Sequence, residues 1–398
     1  MARDRHTEET EKPGKLIIGV YLAATLLYYL SLYLYVPTLP TYVHLRVQDL
    51  STVGLVLSMY GLWQALIRIP TGIGVDTVGW GKPFLLLGFI LAASGALCMA
   101  FGGSVFMLAV GRALTGLAAG TWVPLTVVFM NLFPAGQTVF ASSMLMVAGS
   151  IGRVTATGLN GSLNSLGGYR LAFFCAAAAA VAAALLIAVS PERRRPPARL
   201  SVRSLVRLLL GRDLLIPTVI STIYMFANWA VIFSFMPLLA QSLGANDVVK
   251  GLLMALYLAL FTVGNLLNTF IAKRIRYVTL LLLTLFGQAC GIVGAALSGT
   301  VALLFVFSGL TGLSNGFTYP TLMGMSVARV DASQRTTAMG LHQAVYAIGM
   351  FTGPWIGGIL ADAVGIRWMF AAIAGVLLGS SYVLLLAFRS RPAAAAAD

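Results

Sequence analysis

Long, nearly unbroken apolar runs, such as residues 16–36 and 171–189, limit what this chain can fold into more than any other feature. A run of about 18 or more apolar residues is long enough to cross a bilayer as a helix, whereas a barrel strand would show about ten residues of alternating polarity. In lipid only helices and closed barrels satisfy every backbone N–H and C=O, so the runs select helices. Composition agrees, with 59% hydrophobic and 10% charged residues, against roughly 25% charged in a soluble domain. An aqueous fold has no core large enough to hide that surface.

The sequence predicts an all-α polytopic membrane protein with twelve transmembrane helices, at about 16–40, 51–75, 83–101, 105–130, 138–164, 169–190, 214–240, 248–271, 277–298, 300–327, 336–361 and 367–388. The first run exceeds twenty residues and lacks a small-residue cleavage site, so it is expected to be retained as a span. Cys98, Cys175 and Cys290 lie in apolar stretches without metal-ligand spacing. Packing is the expected role of all three, with no metal and no other cofactor.

A formal charge of +14 would raise the question of nucleic acid in a soluble chain. Placement answers it. With the N-terminus inside, nineteen Lys and Arg fall in one set of loops, against four (Arg46, Arg170, Lys250 and Arg367) in the other. The asymmetry predicts an inner-membrane protein with both termini cytoplasmic, its arginines facing anionic lipid head groups. No nucleic-acid partner is needed to explain the charge.

The one long hydrophilic stretch inside the chain, 191–213, is rich in Arg and Pro and lies near the midpoint. Sequence recurs across it. Leu114-Thr-Gly-Leu-Ala-Ala-Gly-Thr-Trp-Val-Pro124 matches Leu310-Thr-Gly-Leu-Ser-Asn-Gly-Phe-Thr-Tyr-Pro320 at an offset of 196, and Gly54 to Tyr60 matches Gly251 to Tyr257 at 197. Gly161, Gly168, Arg170 and Phe173 match Gly358, Gly365, Arg367 and Phe370, again at 197. The expected domains are a six-helix half at 1–190, a cytoplasmic linker at 191–213 and a second half at 214–398. Six helices per half make the repeats parallel, related by an axis along the membrane normal around a central cavity.

The segment Gly72-Ile-Gly-Val-Asp76-Thr-Val-Gly79-Trp-Gly-Lys82 resembles the loop signature between helices 2 and 3 of the major facilitator superfamily. Leu108-Ala-Val-Gly-Arg112-Ala-Leu-Thr-Gly116 is similar to that family's helix 4 motif, and the likeness covers nearly the whole chain. It implies a secondary active transporter working by alternating access, resembling the twelve-helix drug and metabolite efflux branch, and not an enzyme. It also implies a gating role for Gly72, Asp76, Gly79 and Lys82, with Arg68 two turns before Asp76. In the second half Lys273 and Arg276 replace Asp76 and Gly79, so the latch occurs once. The Gly-Pro pair of drug exporters is absent from Gly149-Ser-Ile-Gly152-Arg153, while Gly353-Pro354 retains it in helix 11.

The family lines its cavity with helices 1, 4, 7 and 10, which makes Tyr28, Tyr29, Tyr33, Arg112, Tyr224, Asn228, Trp229, Asn315 and Tyr319 candidates to bind substrate, with Arg153 on helix 5. Three arginines (Arg68, Arg112 and Arg153) lie within spans, and no Asp or Glu lies at mid-membrane. Intramembrane charges are costly and mark functional sites by default. His342 is the obvious titratable group within a span, and its ordinary pKa suits a physiological switch. Two mechanisms follow. One is proton-coupled efflux of a small amphipathic solute, with His342, or Asp76 or Asp362 at a helix end, carrying the proton. The other is exchange or uptake of an organic anion drawn by the buried arginines. A reading of another class is a non-transporting membrane sensor. Expected partners are a small-molecule substrate, protons in the first mechanism, and the lipid bilayer, around a monomer.

Overall fold

The structure is a computed structural model that describes residues 14–134, 137–190, 192, 211–328, 330 and 335–389. Most of the linker expected at 191–213 lies outside the described residues. Helices joined by short turns make up the described chain. Ten stretches are long and apolar enough to cross a membrane; one of them, of 50 residues, holds two spans, and Ile366–Arg389 adds the last. Twelve spans result, as the apolar runs predict.

Not every expected stretch is a uniform, separate helix. Span 1, Lys15–Tyr33, ends in turns containing Pro37 and resumes as Leu39–His44 with Pro40 in its first turn. Span 2 is Leu50–Val78 and span 3 Lys82–Phe101. Span 4 is interrupted at Gly120 between Val105–Ala119 and Trp122–Met130. Spans 5 and 6 form one helical stretch, Thr138–Val189, broken at Gly167 and at Gly168, whose φ of 67° favours glycine. Span 7 is Arg212–Asn228, then a π-helical segment Trp229–Phe235, then Met236–Ser242. Spans 8 to 11 are Asp247–Ile271, Tyr277–Leu297, Val301–Val327 and Arg335–Val364, and Ile366–Arg389 is span 12.

The sequence repeat is also a packing repeat. A Cβ on Gly116 would strike the Tyr60 carbonyl, and one on Gly312 the Tyr257 carbonyl. Ser104 caps span 4 by accepting from Met107 N–H, and Thr300 caps span 10 by accepting from Leu303 N–H. Gly168 and Gly365 both hold positive φ at the turns into spans 6 and 12. Each pair is separated by the offset that the sequence shows.

The halves meet along two related seams, span 2 on span 11 and span 5 on span 8. Both seams run backbone against backbone. A methyl group at Gly54 would overlap the Pro354 carbonyl, one at Gly358 the Leu50 carbonyl, and one at Gly161 the main chain of Val248. Small residues allow this approach, which gains dispersion energy in lipid where no hydrophobic drive between helices exists.

Polar contacts reinforce the seams at the face opposite the termini. The Asp362 carboxylate accepts from Leu50 and Ser51 N–H, both at 2.8 Å, so span 11 caps span 2. Lys250 is buried and paired with Asp247 at 2.7 Å, and it donates to Thr41 Oγ1. Asn164 Nδ2 donates to Asp247 Oδ2 and to Thr38 Oγ1. The halves are therefore locked together on that face.

Candidate functional site

A cavity of about 170 Å³ lies between the halves. Half of its 24 lining residues are aromatic, and among them are Tyr28, Tyr29, Tyr33, Arg68, Arg153, Tyr224, Asn228, Trp229 and Tyr319. Residues that the sequence reading did not single out also line it, including Tyr60, Gln64, Trp122, Tyr257, Asn265 and Tyr346. A signal for two of them was present: Tyr60 and Tyr257 end the repeated segments at the 197 offset. The walls carry arginine, amide and hydroxyl groups, with no Asp, Glu, Lys or His among the lining residues.

Both lining arginines are set against rings, Arg68 buried and Arg153 half-buried. Arg153 sits over the Tyr29 ring at 4.7 Å, with Nη2 donating to Ser150 Oγ at 3.4 Å. It lies within electrostatic reach of Tyr33 and Tyr319. Arg68, assigned to the gating group from its spacing to Asp76, lies on the cavity wall and crosses to the other half. Its Nη1 donates to the Gln343 carbonyl at 3.4 Å, its guanidinium faces the Tyr346 ring at 5.8 Å, and its Nε has no hydrogen-bond partner among the described residues. Each cation gains a ring quadrupole, and neither has a carboxylate partner among the described residues.

Arg112 and Asn315 stand one layer behind the wall. Arg112 lies over the Tyr60 ring, 4.5 Å from its centroid, with Nε and Nη1 unpartnered among the described residues. Asn315 reaches the wall through Asn228. His342 is also off the wall. Its ring nitrogens meet Thr218 Oγ1 at 2.9 Å and Ser221 Oγ at 3.1 Å, both on span 7. Thr218 spends its own proton on the Leu214 carbonyl, so it accepts from Nδ1–H and leaves Nε2 to accept from Ser221. Both nitrogens are thus satisfied within the second half.

Aromatic side chains close the cavity on the side away from the termini. Trp229 stacks on Tyr60 of the other half at 5.1 Å and on Phe233 at 4.7 Å. Phe233 meets the Tyr33 edge at 6.4 Å. Both Trp229 and Phe233 belong to the π-helical segment, a rare geometry concentrated at functional sites.

The loop from Gly72 to Lys82 lies at the face that carries the termini. Gly79 holds a left-handed φ of 67° at the end of span 2, the conformation that its position in the turn demands. The Asp76 side chain lies outside the described residues. Lys82 makes a contact within its own half. Its Nζ donates to the Ala188 and Ser190 carbonyls at 2.6 and 2.8 Å, while Gly81 and Lys82 N–H donate to the Glu192 carboxylate at 2.8 and 2.7 Å. A cation thus sits on the C-terminus of span 6 and an anion on the N-terminus of span 3, as the helix dipoles favour. Glu192→Ala is expected to lower the thermal midpoint in detergent by ~2–4 °C, the scale of a lost helix cap. An unchanged midpoint in scanning fluorimetry would show that the clamp contributes nothing to stability.

Among the described residues no group of three or more His, Cys, Asp or Glu is arranged to hold a metal ion. The sequence model of the Major Facilitator Superfamily matches residues 21–223 and again 218–398. The transcription regulatory protein OpdE of Pseudomonas aeruginosa is 28% identical over 314 residues, 77% of this chain and 78% of that protein. The multidrug transporter protein MdtP of Bacillus subtilis is 27% identical over 164 residues, 40% of this chain and 29% of its own length. A crystal structure of a bacterial homolog to the human lysosomal transporter Spinster, inward-facing and occupied, superposes with a TM-score of 0.79 at 15% identity, covering 95% of this chain and 97% of that one.

Proposed function

The chain belongs to the Major Facilitator Superfamily, and we propose that this multi-pass membrane transporter moves a small amphipathic organic anion outward by alternating access. The observation that carries the reading is the cavity wall, which presents two arginines and no acid among its lining residues. Unpaired buried cations attract anions strongly in a low dielectric. The twelve aromatic residues suit a flat apolar body attached to the charge.

This reading places the six-helix halves at 1–190 and 214–398, rocking about the glycine seams while 191–213 connects them. With both termini cytoplasmic, the closed outer face is the inward-facing state. The outward direction is drawn from relatives whose names say efflux or export. Proton coupling through His342 is less well supported, because the ring is off the wall and satisfied within its own half. None is required, since an inside-negative potential drives a monovalent anion outward with about 2.3 kcal/mol per 100 mV.

The test uses purified protein in liposomes loaded with labelled benzenesulfonate, which stays ionised throughout, alongside benzyltrimethylammonium and benzamide. Anion efflux should follow an imposed potassium diffusion potential, ignore a pH gradient and persist in His342→Ala. Efflux of the cation or the amide that consumes a proton gradient would restore the proton-coupled exporter instead. The name of the P. aeruginosa relative favours a second reading, a sensor that binds solute without moving it. Binding of benzenesulfonate with no efflux under any gradient would select it.

A further inference from the structure

Where the cavity meets the second half, three polar side chains form a closed ring of hydrogen bonds. Tyr257 Oη donates to Asn228 Oδ1 at 2.8 Å, and Asn315 Nδ2 donates to the same oxygen at 2.9 Å and to Tyr257 Oη at 2.9 Å. The three come from spans 8, 7 and 10, and all are almost fully buried. Asn228 is the last residue before the π-helical segment and lines the cavity, as does Tyr257.

The direction of this ring decides what the cavity sees. Turning both amides over would also close the ring, but would bury the Asn315 NH₂ with two unpartnered hydrogens. The arrangement present uses both of those hydrogens and leaves only the Asn315 Oδ1 acceptor unpaired. An orphaned donor pair is worse than one orphaned acceptor, so the observed direction prevails. Asn228 Oδ1 is then consumed by two donors, and its Nδ2, which has no protein partner among the described residues, keeps both hydrogens for the cavity.

Resting on the anion reading above, we infer that Asn228 Nδ2 is the second half's contact with the carboxylate of a small aromatic acid, and that Tyr257 and Asn315 are positioning residues which fix it as a donor. Arg153 and Arg68 hold the charge from the first half, and Asn228 completes the donor set from the second. The acid's ring lies among Tyr29, Trp122 and Trp229. A carboxylate offers acceptors only, so an all-donor cradle selects it over a primary amide of the same shape, whose NH₂ would meet N–H groups head on. The solute thereby bridges the two bodies whose relative motion carries it.

The experiment measures binding of benzoate and of benzamide to the detergent-purified full chain by calorimetry. Wild type should prefer benzoate, and Arg153→Ala should erase that preference. Asn228→Ala should weaken benzoate about tenfold or more, the scale of a hydrogen bond to a charged group, while benzamide changes by less than about threefold on the same scale. Tyr257→Phe should lower the benzoate to benzamide ratio in the same direction. Asn315→Asp leaves acceptors only at its site, turns the Asn228 amide over, and should invert the ratio without replacing any lining residue. A purely structural role for the ring would weaken both ligands together. If Arg153→Ala erases the preference but Asn228→Ala and Tyr257→Phe leave it intact, the inference about Asn228 falls and the anion reading stands. If wild type does not distinguish benzoate from benzamide, both fall.

Discussion

Arg153→Ala is expected to reduce potential-driven benzenesulfonate efflux by about two orders of magnitude or more, the scale of losing a desolvated, two-pronged contact to an anion at ~1.5–3 kcal/mol per hydrogen bond. Arg153 is the cation that the cavity can least spare, being held on the wall by the Tyr29 face and Ser150, with no carboxylate among the lining residues to neutralise it. Arg153→Lys should recover only part of the rate, because a compact ammonium loses the planar stacking and the fork. Arg68→Ala should cost less, since the Nη1 of that side chain is already engaged with the Gln343 carbonyl of the other half. Wild-type efflux in Arg153→Ala, with normal reconstitution, would remove the arginine from the transport cycle and the anion reading with it.

Gly358→Leu should stop transport by holding the outer face open. Its new Cβ would overlap the Leu50 carbonyl, a main-chain obstacle that no rotamer can avoid. Overpacking a tight contact costs about 1–3 kcal/mol, enough to shift a two-state equilibrium by roughly tenfold to a hundredfold. The check is Ser58→Cys in a background with Cys98, Cys175 and Cys290 replaced by alanine. Ser58 is fully buried and lies on the same face of span 2 as Gly54 and Gly61, four and three residues away. An impermeant maleimide applied to the outer face should label it about tenfold faster once the seam is wedged, in step with the shifted equilibrium. Unchanged labelling with lost transport would mean that the seam does not control opening.

The twelve spans and the two-fold repeat were legible because each is written in one-dimensional form, as length of apolar run and as recurring residues at a fixed offset. Gly168 and Gly365 marked their turns in the same way. What the sequence did not disclose depends on where helices cross. Arg68 falls two turns from Asp76 along the chain, yet span 2 leans on span 11 and delivers Arg68 to Tyr346. Arg112, equally intramembrane, ends up behind Tyr60. Asn315 and Asn228 were both named and Tyr257 was not, because the hydrogen bonds that join the three require three spans to converge. Glu192 gave no signal at all, because its role depends on the N-terminus of span 3 arriving beneath span 6. The breaks in spans 4 and 7 were hidden by uniform hydropathy, which reports burial and not backbone register.

The main-chain character of the seams between the halves has a thermodynamic meaning. Contacts made by carbonyl groups that already serve their own helices leave nothing stranded when they part, since water can take the second lone pair of each oxygen. Along the glycine contacts separation exposes no deep apolar socket, and the strong bonds it breaks are concentrated in the outer-face contacts of Asp362, Asp247 and Lys250. Open and closed arrangements of such an interface can lie close in free energy, so a ligand worth only a few kcal/mol suffices to tip the balance. A chain assembled this way is poised rather than sprung, and a modest molecule can set its direction.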